Sequence, residues 1–176
     1  MGRDETLMAN EKKHLGPGVA CAIACYALLM MAGRPAYADD LIGRASVIDG
    51  DTIEIHGQRI RLEGIDAPES RQTCRDRSSG DEIRCGQKAA LWLSEMIGPQ
   101  TVSCVEAGRD RYARMLAHCE VAGHDIGAAM VEAGWALSYV RYSREYEAQE
   151  ATARDAGKGI WQWDFTAPWE WRRGAR

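Results

Sequence analysis

Apolar and polar residues alternate with period two over three short stretches, 44–48, 52–56 and 58–65. Ile53 and Ile55, then Ile60 and Leu62, fall on one face, the pattern of half-buried strands, and Gly57 marks a tight turn between the last two. The alternation lapses over 70–84, a charged, Ser- and Gly-containing stretch that predicts a loop. The period lengthens to that of a helix over 86–97, with Ala89, Trp92, Leu93 and Met96 on one face and Gly98-Pro99 as the stop. Two more strands are predicted at 101–106 and 115–121, joined by a turn over 108–114. Asp125 is the expected N-cap of a helix to Ala133 with Gly134 as its stop. Ser143 is expected to cap a last helix reaching Ala156, ended by Gly157 and Gly159. The stretch 160–171 carries Trp161, Trp163, Trp169 and Trp171 and is expected to pack back on the body.

Five strands are too few for an ordinary sandwich and suit a small closed barrel. The expected class is α+β: a five-stranded OB-fold barrel packed with about three helices, a fold that often binds oligonucleotides. A length of 176 residues leaves no room for two catalytic domains. With 45% hydrophobic and 27% charged residues the chain is globular, and its net charge of −4 argues against a polycation that coats nucleic acid by charge alone.

Residues 19–32 form an apolar run behind Lys12 and Lys13, followed by Ala36-Tyr37-Ala38. This reads as a cleaved signal peptide over 1–38 ahead of a domain over 39–176, because a membrane span needs about 20 apolar residues. Asp4 and Glu5 before the basic pair point to Met8 as the natural start. The expected destination is the periplasm or the medium, with no membrane attachment after cleavage. Cys21 and Cys25 would leave with the signal, and Cys74, Cys85, Cys104 and Cys119 would remain. An even number in an exported domain implies disulfides. Of three pairings, Cys74–Cys85 with Cys104–Cys119 is preferred: the first closes a polar loop and the second staples two arms of a predicted hairpin. A four-cysteine zinc site is the rival, but no Cys-x-x-Cys spacing is present.

Candidate chemistry sits at strand ends. Asp49 and Asp51 flank a turn, while Asp66 and Glu69 follow the third strand. If these ends converge, the carboxylates need a cation between them, and hard oxygen ligands favour Ca²⁺ or Mg²⁺ over zinc. Arg61 lies on the opposite strand face from Ile60 and Leu62, free to meet an anion; Arg109, Arg111 and Arg114 crowd the later turn. A divalent cation beside guanidinium groups is what phosphodiester cleavage needs. Taken singly, each piece has a plainer explanation: Asp-Gly-Asp-Thr is a common hairpin turn and an Arg-rich loop is usually solvated.

Taken together, Asp49-Gly-Asp-Thr, Arg61-Leu-Glu-Gly-Ile-Asp-Ala-Pro-Glu69 and Asp110-Arg-Tyr-Ala-Arg114 resemble the staphylococcal nuclease (thermonuclease) family over about residues 44–163. The resemblance implies that Asp51, Asp66 and the backbone carbonyl of Ala67 ligate one Ca²⁺, with Mg²⁺ less suited, and that Asp49 stands behind them, reaching the ion through water. It implies Glu69 as general base, Arg61 and Arg114 as the arginines on the scissile phosphate, and Arg111 and Tyr112 as lining of the nucleotide site. The implied activity is hydrolysis of DNA and/or RNA with little sequence specificity, giving 3′-phosphate ends, by a monomer without a stable protein partner. Three departures stand out. Ala113 replaces a Gly common in relatives, the 70–84 loop is longer, and Tyr139, Arg141 and Tyr142 lie near where relatives stack a base without matching it residue for residue. The competing expectations are an OB-fold module that grips single-stranded nucleic acid without cutting it, and a metal-stabilised envelope protein. The presence of all the acidic and arginine positions favours the enzyme.

Overall fold

The computed structural model describes residues 40–175. The expected signal peptide lies outside the described residues. Strands β1 (Leu41–Asp49), β2 (Thr52–Ile55) and β3 (Gln58–Leu62) form an antiparallel meander, with Val47 opposite Ile53 and Ile53 opposite Ile60. After a two-residue strand β4 (Ile65–Asp66), a small hairpin of β5 (Cys74–Arg75) and β6 (Glu82–Ile83) leads into helix α1 (Cys85–Ile97). Strand β7 (Thr101–Arg109) pairs with β1, and β8 (Met115–Val121) pairs with β7. Parallel pairing of β3 with β8, Ile60 opposite Met115, closes the five-stranded barrel expected from the strand count.

A short β9 (His124–Asp125) extends the sheet and runs into α2 (Ile126–Glu132), whose first turn is capped by Asp125 accepting the Ala128 amide at 2.9 Å. Then come β10 (Leu137–Ser138), α3 (Glu147–Asp155), a 3₁₀ turn over Gly159–Gln162 and a four-residue α4 (Pro168–Trp171). The main core joins the inward β residues Ile53, Ile55, Ile60, Leu62 and Val102 to Ala89, Leu93 and Ile97 of α1 and Met130 and Val131 of α2. Trp92 and Met96, on the predicted face of α1, are half-buried at its edge. A second cluster gathers Cys74, Cys85, Leu137, Ile160 and Trp163, so the Trp-rich segment packs back as its composition suggested. Both preferred disulfides are present, Cys74–Cys85 and Cys104–Cys119.

Four local expectations need correcting. The predicted strand 58–65 breaks at Gly64, whose φ of +76° turns the chain; Ile65–Asp66 leaves the barrel and pairs with Leu137–Ser138. The 70–84 loop contains the β5–β6 hairpin, and β7 runs on to Arg109 with a bulge between Glu106 and Gly108. Ser143 does not cap the last helix: its hydroxyl accepts the Glu145 amide at 3.2 Å, and α3 starts behind Tyr146. The Tyr146 ring is buried and its hydroxyl donates to Asp125 at 2.9 Å, which sets where that helix can begin.

Candidate active site

The bulged β1–β2 turn and the β4 segment bring four of the sequence-predicted residues to one end of the barrel. Gly50 makes this possible, because a Cβ there would lie 2.7 Å from the Cβ of Ala67 and 3.0 Å from that of Ala89. With Gly50 bare, Asp51 faces the Asp66-Ala67 segment, and the Ala67 amide lies 3.4 Å from Asp51 Oδ2. Asp49 stands behind, its Oδ1 accepting the Asp51 amide at 3.1 Å. Arg61 projects from β3 between the two buried aspartates: one nitrogen, Nη2, is 2.7 Å from Asp51 Oδ2 and 2.6 Å from Asp66 Oδ1.

That single nitrogen marks a point within reach of both carboxylates. Two buried carboxylate oxygens that close together suit one hard divalent cation, so the donors present fit the ion the resemblance implies. The electrostatics agree. Burial pushes the Asp51 carboxyl up to about 6 despite the pull of Arg61, and burial also raises Asp66 against the hydrogen bond from Arg172. Burial works against the charge on Arg61, but Asp51 and Asp66 outweigh it and hold its pKa above the usual value.

Asp51 binds its proton more tightly in the fold than at the ordinary 3.8, so its contribution to stability is full below about pH 4 and is lost as pH rises through about 6. In chelator at pH 7, Asp51→Asn should therefore be more stable than the parent by up to about 3 kcal/mol, with the gap closing toward pH 4. Urea melts at both pH values check this, and an equal gap at both would contradict it.

Glu69 lies on the loop after β4. Its amide donates to the fully buried Gln72 side chain at 3.2 Å, and its carbonyl accepts the Gln72 amide at 2.7 Å. The start of α1 presses on this loop at Gly86, where a Cβ would fall 1.8 Å from the Glu69 carbonyl oxygen. The position of the carboxylate expected to act as base thus depends on a bare backbone at Gly86.

The arginine turn is built separately. Asp110 Oδ1 accepts the Tyr112 and Arg114 amides at 2.8 and 2.9 Å, and its Oδ2 accepts Arg114 Nε at 2.7 Å. Arg114 is therefore held by Asp110 and does not join the cluster around Arg61, although Met115, the next residue, is paired with Ile60 beside Arg61. Tyr112 is 71% exposed with the Arg111 and Arg114 guanidinium groups 5.6 and 5.8 Å from its ring centre, an open platform of the kind a base can stack on. Ala113 adopts φ +61°, a left-handed conformation that costs a non-glycine residue about 1 kcal/mol or more. Ala113→Gly should raise stability by about 1 kcal/mol in a thermal melt; a lower melting point would mean that the turn gains something from the Ala113 side chain.

One residue of the site was not among the sequence candidates. Arg172, just after α4, grips Asp66 with two bonds, Nη1 to Oδ1 at 2.9 Å and Nη2 to Oδ2 at 2.7 Å, and reaches Glu69 Oε1 at 2.6 Å. The only hint in the sequence is the basic pair Arg172-Arg173 behind the Trp-rich stretch. Tyr139 and Tyr142 meet edge to face at 5.0 Å, and Trp169 of α4 stacks on Tyr139 at 5.6 Å.

Barrel, carboxylates and guanidinium groups together define a hydrolase of the nuclease class. A family model described as "Staphylococcal nuclease homologue" matches residues 59–163. Similar curated proteins include the succinoglycan biosynthesis protein ExoI of Rhizobium meliloti (strain 1021), 39% identical over 79% of this chain and 74% of its own. The micrococcal nuclease of Shigella flexneri is 32% identical over 85% and 90%, and an uncharacterized endonuclease of Escherichia coli O157:H7 is 32% identical over 82% and 94%. The chain belongs to the staphylococcal nuclease family.

Proposed function

We propose that the protein is an exported, calcium-dependent nuclease that hydrolyses DNA and/or RNA with little sequence specificity and leaves 3′-phosphate ends. The observation that carries this reading is the convergence of Asp51, Asp66, Glu69 and Arg61 at one end of the barrel. The acidic pair and the Ala67 carbonyl would hold Ca²⁺, which when bound supplies a Lewis acid for a phosphoryl oxygen. Arg61, whose Nη2 lies at that point in the ion-free protein, would turn from the carboxylates to the phosphate and offset the charge that builds on its oxygens. Glu69 accepts the proton of the attacking water. Arg114 comes from the 110–114 turn, exchanging Asp110 for the phosphate, while Arg111 and Tyr112 hold the neighbouring nucleotide. Departure of the 5′ oxygen leaves the phosphate on the 3′ side. The body is acidic overall, so affinity rests on these local arginines and weakens with salt.

Export is supported by the apolar run over 19–32, the Ala-Tyr-Ala site and the two disulfides. Among the described residues no helix is long and apolar enough to cross a membrane.

Digestion of single-stranded DNA, duplex DNA and RNA in Ca²⁺, followed by end-group analysis, tests the reading. New ends that a 3′-phosphatase must open before a polymerase extends them are expected. Extendable 3′-hydroxyl ends would overturn the assigned direction of cleavage, and tight binding without cleavage would replace the enzyme by a binding module.

A further inference from the structure

Asp66 is fully buried, and both of its oxygens are already engaged by guanidinium groups. Oδ1, the oxygen that converges with Asp51 on one point, is shared by Arg61 and Arg172; Oδ2 is held by Arg172. Glu69 is tied by the same Arg172 Nη1 that touches Asp66. A cation that takes Asp66 as an inner ligand therefore meets a second arginine, one that arrives from the far end of the fold.

That arginine is delivered by a segment with its own anchors. Asp164 exchanges backbone hydrogen bonds with Arg75 at 2.8 and 2.9 Å, and its carboxylate pairs with Arg77. The buried Gln72 donates to the Thr166 carbonyl at 2.6 Å, and Trp169 stacks on Tyr139. Gln72 also accepts the Glu69 amide, so one side chain fastens both the Glu69 loop and the segment that carries Arg172. None of these anchors uses the Arg172 guanidinium, so its grip on Asp66 and Glu69 is a feature added to a segment already in place.

Resting on the calcium reading above, we propose that Arg172 is a positioning residue and internal counter-ion of the cation site. It holds Asp66 and Glu69 together in the cation-free protein, and a divalent cation must displace it from Asp66 in order to bind. The C-terminal segment thereby sets how tightly the site takes its ion. A planar fork matched to both oxygens of one carboxylate does this better than a point charge, so lysine should replace it only in part.

Calcium binding measured by titration calorimetry on the purified, disulfide-bonded protein tests this without an activity assay. Arg172→Ala should bind Ca²⁺ roughly tenfold or more tightly than the parent, and Arg172→Lys should fall between them. Equal or weaker binding by Arg172→Ala, in protein that melts cooperatively in chelator, would overturn the proposal while leaving the calcium site standing. Absence of Ca²⁺ binding in parent and Arg172→Ala alike would overturn the calcium reading and this proposal with it. Loss of binding in Asp51→Asn provides the control that the ion measured is the one at this site.

Discussion

Replacing Glu69 with Gln should lower nucleic-acid hydrolysis by about two to four orders of magnitude, the range general-base catalysis contributes. The amide keeps the volume and the reach of the side chain but cannot accept the proton of water. Fold and stability should change little, because the contacts to Gln72 that fix the loop do not involve the carboxylate and the ion pair it loses with Arg172 is partly exposed. Arg114→Ala should cost about two to three orders of magnitude through lost charge stabilisation. It also frees Asp110, which keeps its bonds to the Tyr112 and Arg114 amides, so the turn should survive. Initial rates on a duplex substrate, with melting curves alongside, separate chemistry from folding. Near-parental rates in both variants would remove the assignment of the site.

The largest structural effect is expected at a glycine with no chemistry of its own. In Gly86→Ala the new methyl would sit 1.8 Å from the Glu69 carbonyl oxygen and 2.7 Å from its carbonyl carbon. Both are backbone atoms, and neither can rotate aside. Either α1 withdraws from the loop or the loop moves, and α1 is tied to the barrel by Ala89, Leu93 and Ile97 and to the neighbouring hairpin by the Cys74–Cys85 disulfide. Overpacking of this kind costs about 3 kcal/mol or more when backbone meets backbone. The molecules that remain folded should also cleave poorly, because Glu69 is displaced with its carbonyl. Urea melts and rates normalised to the folded fraction check both parts; parental stability would mean that the helix start has slack the packing does not show.

The barrel was legible because each of its strands is a local event. Alternation over β2, β3 and β8 places Ile53, Ile60 and Met115 inward, and the helix face of α1 follows from spacing alone. The break at Gly64 was not legible: Ile65 is β-branched and suits a continuing strand, and what draws it away is pairing with Leu137–Ser138, more than seventy residues on. A long-range partner leaves no mark in a local pattern. The failure of Ser143 as a cap has the same origin, since Tyr146 and its bond to Asp125 decide where α3 begins. At the site, Asp51, Asp66 and Glu69 were readable because they fall at strand ends next to turn residues. Arg172 was not, because 103 and 106 residues separate it from Glu69 and Asp66 and only the fold of the Trp-rich segment joins them. Arg114 is legible as part of an arginine-rich turn, but its pairing with Asp110 shows only in the folded chain.

Under the proposed function, hydrolysis depends on a cation held by the buried acidic pair. The most direct test is the initial rate of DNA cleavage by the parent and by Asp66→Asn, titrated with Ca²⁺ and with Mg²⁺ from a chelated start. Negligible cleavage in chelator, saturable activation by Ca²⁺ with Mg²⁺ the poorer substitute, and loss of that activation in Asp66→Asn are expected. Equal cleavage in chelator and in Ca²⁺, or an Asp66→Asn variant activated like the parent, would contradict this dependence.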